Sequence, residues 1–88
     1  MKYKVVFTEL AKKQLKKIDK YVASLIIGWI EKNLQDCDNP RIHGKNLIAN
    51  KSGQWRYRIG DYRIICEIID EEITILVLEV GHRKNIYD

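Results

Sequence analysis

The sequence contains little proline and glycine and no long apolar run. One proline and five glycines among 88 residues leave little room for long loops. No apolar run reaches the ~18 residues that a membrane-spanning helix needs, so we expect no membrane segment. The opening residues MKYKVVFTELAKK lack the apolar stretch and the small-residue cleavage site of a signal peptide, and we expect a cytoplasmic protein.

Cysteine is scarce, and its positions form no motif. Cys37 and Cys66 make no C-x-x-C pair and belong to no cluster of metal-ligating residues. We therefore expect buried, reduced thiols, with no disulfide, no metal and no other cofactor. The length allows one domain over residues 1–88 and excludes a two-domain enzyme with its own cofactor lobe.

Acidic residues are fewer than basic ones. The chain has 16 basic and 12 acidic residues, a net charge of +4 that solubility alone would explain. The placement of the basic residues is more informative, because every arginine lies at or beyond Arg41 and four fall from Arg56 to Arg83. The planar guanidinium suits phosphate, so these arginines indicate a phosphate-binding surface.

The apolar periodicity predicts an α+β fold with the order β-α-α-β-β-β. Helical spacing dominates the first half of the chain and alternation the second half. We expect a helical hairpin packed on one face of a mostly antiparallel four-stranded sheet. The predicted helices span residues 8–19 and 20–36, with Asp19 or Ser24 near the break, and the strands span residues 3–7, 54–59, 62–69 and 73–80; residues 40–53 are irregular.

A two-residue turn at Gly60-Asp61 fixes the pairing of two predicted strands. In that register Arg58 faces Arg63 and Arg56 faces Ile65, on the sheet face away from the helices. Like charges directly across a strand pair are unfavourable by ~0.2–1 kcal/mol. A sequence that breaks a local rule often does so at a working site, so the pair is a functional candidate.

The alternative is that neighbouring acidic residues neutralise these arginines. Glu67 lies diagonal to Arg56 in the predicted register and is able to pair with it. No strand carboxylate is well placed for Arg58 or Arg63, although Asp61 in the turn offers one. The sequence therefore favours a working site at this pair over a merely structural one.

Residues with useful chemistry follow the last predicted strand. Gly81 frees the backbone where that strand ends, and His82, Arg83 and Tyr87 supply an imidazole, a fixed cation and a phenol. This tail is able to fold over either face of the sheet. The alternative is an ordinary frayed terminus without a role.

Two stretches of the sequence resemble a known family. The run GQWRYRIGDYRII at residues 53–65 resembles the central motif of the RelE/ParE superfamily of toxins from bacterial toxin–antitoxin pairs. The run VGHRKNIY at residues 80–87 resembles the C-terminal motif of its RelE branch. The opening Tyr-x-Val-x-Phe-Thr is also similar, so the resemblance covers essentially the whole chain and implies the RelE-like fold.

The resemblance implies an endoribonuclease that cuts messenger RNA in the ribosomal decoding site and so inhibits translation and growth. It also implies a cognate protein antitoxin, operator DNA bound through that antitoxin, and no membrane partner. Attack by the 2′-hydroxyl of the RNA needs no metal, and it leaves a 2′,3′-cyclic phosphate and a 5′-hydroxyl.

The resemblance, carried over by position, and the charge pattern together define the predicted site. The catalytic residues are Arg58, Arg63, His82, Arg83 and Tyr87, and the RNA-binding residues are Arg56, Lys45, Lys51 and Lys84. Some relatives carry lysines where this chain has Arg56 and Arg58. An arginine cannot be deprotonated in a protein, so we expect His82 to carry out proton transfer, and Tyr87 is the second candidate.

Three alternatives to a nuclease stay open. One is a toxin of the ParE side of the superfamily, which binds gyrase and inhibits it without catalysis; the tail of His82, Arg83 and Tyr87 argues against it. Another is an inactive member that only binds its antitoxin and DNA, against which Arg63, Arg83 and Tyr87 count. The third is a plain basic RNA-binding module, which would lack the tail residues.

Overall fold

The computed structural model describes residues 1–46 and 54–85. The helices and strands are β1 (Lys4–Phe7), α1 (Glu9–Lys17), α2 (Lys20–Asn33), β2 (Lys45–Asn46), β3 (Gln54–Ile59), β4 (Tyr62–Ile69) and β5 (Thr74–His82). Short 3-10 turns occur at Pro40–Ile42 and Asp70–Glu72. No helix in these two ranges is both long enough and apolar enough to cross a membrane.

The strands form one sheet in the order β1-β5-β4-β3-β2. β1 pairs in parallel with β5, and the other neighbours pair antiparallel. This arrangement confirms the predicted α+β fold. The sheet has five strands instead of the expected four, because Lys45–Asn46 pairs with β3 inside the segment that the sequence predicted as irregular. A two-residue strand is too short to show alternation.

Both helices begin at a side-chain cap. Thr8 Oγ1 accepts a hydrogen bond from the Ala11 N–H (3.1 Å), and the Asp19 carboxylate accepts two from the first turn of α2 (3.0 and 3.3 Å). Asp19, one of the two residues predicted near the break, therefore marks it. Both helices are shorter than predicted; α1 ends early because Ile18 adopts an extended backbone.

The helices cover one face of the sheet and build the core with it. Apolar side chains of both helices and of the central strands are fully buried there: Ala11, Ile26, Ile30, Leu34, Tyr57, Ile64, Cys66, Ile75, Val77 and Val80. Cys66 is a buried free thiol, as expected, and its burial raises its pKa. Cys37 is free as well but only half-buried.

The pairing of β4 with β5 changes register at one point. Cys66 lies opposite Val77, whereas its neighbour Ile65 lies opposite Glu79. One additional residue, Leu78, is therefore accommodated in β5, as in a β-bulge. Alternation alone gives no sign of such an insertion, because a single extra residue leaves the apolar character of the strand unchanged.

The register shift determines on which face of the sheet each residue at the end of β5 lies. Beyond it, His82 lies opposite Tyr62, which packs against the core, and Gly81 lies opposite Arg63 on the other face. Uninterrupted alternation along β5 would reverse both placements. The predicted strand also begins one residue early, because Ile73 lies in the preceding turn with a left-handed φ of 51°.

Candidate functional site

Three arginines lie on the sheet face away from the helices. Tyr57 of β3 points into the core, so its neighbours Arg56 and Arg58 project to the opposite side. Arg63 of β4 lies directly opposite Arg58, as the sequence predicted. We call the surface formed by Arg56, Arg58 and Arg63 the arginine face.

The cations of the arginine face are close enough to repel one another. Arg56 is only 9% exposed, and burial lowers the pKa of its guanidinium, with further lowering by the charges of Arg63 and Arg58. Arg58 is exposed and Arg63 is half-buried. Because arginine stays protonated in proteins, the face is a permanent positive patch suited to phosphate oxygens.

Two strand carboxylates, Glu67 and Glu79, lie at positions diagonal to arginines of this patch. Glu67 lies diagonal to Arg56, as predicted. The register shift places Glu79 opposite Ile65 and therefore diagonal to Arg63. The expectation that no strand carboxylate lies near that arginine is wrong, because it assumed unbroken alternation along β5.

Arg83 lies at the same end of the sheet as the Arg58–Arg63 pair. Its backbone N–H donates to the Asp61 carbonyl (2.9 Å), and its Nε lies 4.0 Å from the Asp61 carboxylate. Asp61 belongs to the β3–β4 turn that the arginine pair flanks. The Asp61 carboxylate, which the sequence offered as a partner for Arg58 or Arg63, therefore lies beside Arg83.

The His82 ring is on the helix side of the sheet. It packs edge-on against Tyr62, with 5.3 Å between the ring centroids and 75° between the ring planes. His82 Nδ1 accepts a hydrogen bond from the Lys84 N–H (3.2 Å). The nitrogen left for a ligand is therefore Nε2, and the side chain is not part of the arginine face.

A cleft of about 420 Å³ opens at the β2–β3 edge, beside the arginine face. We call it the edge cleft; it is lined by Trp29, Ile42, His43, Lys45, Arg56 and Arg58, with Gly44 between two of them. Lys45 lies opposite Arg56, which brings this predicted RNA-binding residue to the arginines.

Sequence reasoning missed three residues of the edge cleft, Trp29, Ile42 and His43. The apolar pair Trp29 and Ile42 is indistinguishable from ordinary core in a pattern. The available signal was His43-Gly44-Lys45, in which a glycine separates an imidazole from a cation in a basic segment.

The predicted site residues fall into two groups. Lys45, Arg56, Arg58 and Arg63 lie together, while His82, Arg83 and Lys84 lie at or just beyond the end of β5. Lys51 and Tyr87 lie outside the described residues. Within residues 1–46 and 54–85, no three His, Cys, Asp or Glu side chains form a group that could hold a metal ion.

This fold is shared with known proteins. Residues 5–87 match the model of a family described as "ParE toxin of type II toxin-antitoxin system, parDE". The chain belongs to the RelE/ParE superfamily of type II toxins. The toxin is 32% identical over 87 residues to "Toxin RelG" of Mycobacterium tuberculosis, across 99% of this chain and 98% of that protein.

Solved structures agree with this assignment. The toxin is similar to a chain in the crystal structure of the toxin–antitoxin complex RelBE2 from Mycobacterium tuberculosis, with a TM-score of 0.84 and 30% identity over 94% of this chain and 100% of that one. It also shares the fold of the isolated E. coli RelE toxin, with a TM-score of 0.73 at 24% identity over 91% of this chain and 83% of that one. The resemblance read from the two motifs is confirmed.

Proposed function

We propose that the toxin is a cytoplasmic endoribonuclease that cleaves messenger RNA in the ribosomal decoding site, without a metal ion, and so inhibits translation and growth. The opposed pair Arg58 and Arg63 is the observation that supports this most. Two guanidiniums directly opposite each other on adjacent strands are well suited to hold one phosphate.

The proposed reaction is attack of a 2′-hydroxyl on the adjacent phosphorus. The new P–O2′ bond forms as the P–O5′ bond breaks; the 2′-hydroxyl loses its proton to a base, and the leaving 5′-oxygen gains one. Negative charge grows on the phosphoryl oxygens during this step. Arg58 and Arg63 stabilise that charge more in the transition state than in the ground state, and Arg83 adds a cation at the same end of the sheet.

Proton transfer is the step for which the structure alters the prediction. As a base, His82 would need a free lone pair on Nε2, with its proton on Nδ1. The hydrogen bond from the Lys84 N–H to Nδ1 opposes that arrangement. We therefore assign His82 to RNA binding through a donated Nε2–H, and we assign the base to Tyr87 or to a group of the ribosome.

We propose that a cognate protein antitoxin binds this toxin and that operator DNA binds the complex through the antitoxin. A similar chain crystallised in a toxin–antitoxin complex. Beside the arginines, Ile65 is only 4% exposed and Leu78 packs against it. The large apolar residues that are exposed on the helices are Leu10, Tyr21, Leu25 and Ile27. The antitoxin therefore covers the helices as well as the arginine face.

The decisive experiment maps the 5′ ends of cellular messages after induction of the toxin. We expect new 5′-hydroxyl ends within translated regions, and we expect their loss when initiation is blocked so that ribosomes leave the message. Purified toxin added to ribosomes stalled on a defined message should give the same ends with 2′,3′-cyclic phosphates. Growth arrest without new ends would remove the nuclease proposal.

Gyrase inhibition is the second candidate function. The ParE description of the matching family favours it. Purified toxin is therefore added in parallel to a gyrase supercoiling reaction and to a translation reaction. Inhibition of supercoiling with normal translation would replace the nuclease by a gyrase inhibitor, and no effect in either reaction would identify an inactive, antitoxin-binding member.

A further inference from the structure

We propose that the edge cleft binds a nucleobase of the message next to the cleaved phosphate, a site that rests on the proposed nuclease function. One wall of the cleft is aromatic and apolar, and the other wall is cationic. The aromatic wall is the loop segment Ile42–His43 with Trp29 of α2 behind it, and the cationic wall is Lys45, Arg56 and Arg58.

The loop that forms the aromatic wall is held in place by side chains of β3. The Tyr57 hydroxyl donates a hydrogen bond to the Pro40 carbonyl (2.6 Å), and the Trp55 indole Nε1 donates to the His43 carbonyl (2.5 Å). Tyr57 is completely buried, so this anchor belongs to the core. The wall is therefore fixed before any ligand arrives.

Gly44 brings the loop against the sheet. Its φ is +75°, and a Cβ built on it would lie 2.2 Å from the Arg56 carbonyl oxygen. Only glycine allows the backbone to approach β3 this closely. The close approach brings the segment around Gly44 against β3, where Lys45 lies opposite Arg56.

Hydrogen bonds to the Asp70 carboxylate hold the other end of the loop. Arg41 donates two hydrogen bonds to the Asp70 carboxylate (3.1 and 2.9 Å), and the Tyr3 hydroxyl donates to the same carboxylate (2.7 Å). The turn Pro40–Ile42 is thereby tied to the turn between β4 and β5. Anchors on both sides make the cleft a preorganised site.

The chemistry of the lining fits a nucleotide in single-stranded RNA. The His43 ring meets Trp29 edge-on, 5.8 Å between centroids, and the lining residue Ile42 is 71% exposed. Unpaired RNA offers a base for such apolar and aromatic surfaces and a phosphate for cations. The volume of about 420 Å³ lies within the range of ~300–1,000 Å³ that small-ligand sites occupy.

Arg58 favours RNA over an acidic peptide as the occupant. It lines the edge cleft and also forms the pair with Arg63 that holds the cleaved phosphate in the proposed reaction. A base in the cleft is then one step along the chain from that phosphate. An acidic peptide would use the cations but would leave the aromatic wall and the exposed Ile42 without a matching group.

The first test measures binding of a five-nucleotide RNA with 2′-O-methyl groups, which cannot be cleaved, to the purified full-length toxin. His43→Ala and Ile42→Ser should each weaken binding, together by about 5- to 100-fold, because aromatic and apolar contacts to one base are lost. Val6→Ser is the matched control, since Val6 is also an exposed apolar residue (41%) but lies on the opposite edge strand. Inorganic phosphate should bind all variants equally.

The second test sequences the cleavage ends that the wild type and His43→Ala produce on ribosomes. A changed nucleotide preference beside the cut supports a message base in the cleft. A uniform fall in cleavage with the same preference overturns it, as does RNA affinity equal to that of wild type. Weaker antitoxin binding with unchanged RNA binding would assign the cleft to the protein partner.

The two proposals fail separately. If the wild type cleaves nothing but binds the uncleavable RNA through Ile42 and His43, the nuclease proposal fails and the base site stands. If the wild type cleaves messages and neither variant changes RNA binding or sequence preference, the nuclease stands and the base site fails. Thermal melting of each variant checks that the fold is intact.

Discussion

Gly81 lies directly opposite Arg63 across β4 and β5, so the strand partner of this arginine adds no side chain beside it. The relationship depends on the register shift at Leu78, because unbroken alternation would place Gly81 on the helix side. At the end of the sheet where the opposed arginines lie, the β5 neighbour of Arg63 therefore presents only backbone atoms.

Replacing Arg63 with alanine should abolish growth arrest and leave the fold intact. The side chain lies on the face away from the main core, and the loss of one preset cation typically lowers the rate by ~10²–10³-fold. Growth after induction and single-turnover cleavage on ribosomes measure the effect. Lys13→Ala, an exposed change on α1, is the control; continued arrest by the Arg63 variant at equal expression would contradict the phosphate assignment.

Arg83→Ala should lower cleavage to a comparable extent, because it removes a second cation at the same end of the sheet. Asp61→Ala separates this role from a structural one, since it removes the carboxylate 4.0 Å from Arg83 and keeps the cation. We expect the Asp61 variant to retain most activity. Equal losses in both variants would show that Arg83 acts only through its contact with Asp61.

His82→Gln should lower cleavage and leave the shape of its pH profile unchanged, because the proposed role is a hydrogen bond from Nε2 to RNA. The measurement is single-turnover cleavage from pH 5.5 to pH 8.5. If the rate of the wild type rises through an acidic limb that His82→Gln removes, His82 is the base after all. Tyr87→Phe is compared in the same series.

Asp70→Asn should lower thermal stability at neutral pH, and the difference from the wild type should shrink as the pH falls. Hydrogen bonds from Arg41, and to a smaller extent from Tyr3, hold the pKa of Asp70 below its ordinary value. A carboxylate of this kind stabilises the fold above its unfolded pKa of ~3.9, and the contribution disappears as the pH falls through the lower folded value. Melting of both proteins from pH 7 to pH 3 measures the gap, with exposed Glu71→Gln of the same turn as the control.

Gly44→Ala should destabilise the toxin by more than ~1–2 kcal/mol, because the left-handed backbone disfavours a Cβ and the Arg56 carbonyl leaves no room for one. Gly28→Ala is the matched change, since nothing lies within 4 Å of its built Cβ and it sits inside α2. That variant should be more stable by ~0.5–1 kcal/mol. Urea unfolding measures both, and similar values for the two would contradict the close approach.

The sequence predicted the parts of this fold that depend on periodicity and local turns. The Gly60-Asp61 turn fixed the Arg58–Arg63 pairing, because a two-residue hairpin allows one register. The sequence did not predict the position of Glu79. An inserted residue in β5 moves the side chains that follow it to the opposite faces of the sheet, and the composition of the strand does not reveal this. His43 was missed for a different reason: the contacts that bring it to the arginines come from Trp55 and Gly44, and such long-range packing has no periodic signature.

The parallel pairing of β1 with β5 has a consequence for how the toxin is made. Lys4 pairs with Thr74, 70 positions later, and β5 is the strand that joins β1 to the rest of the sheet. Loop-closure entropy opposes such distant pairing, so the sheet completes late in folding. A nascent chain still inside the ribosome at β5 lacks both this strand and the Gly81–Arg83 end of the site. We therefore expect a chain interrupted before β5 to lack both the complete sheet and the complete proposed site.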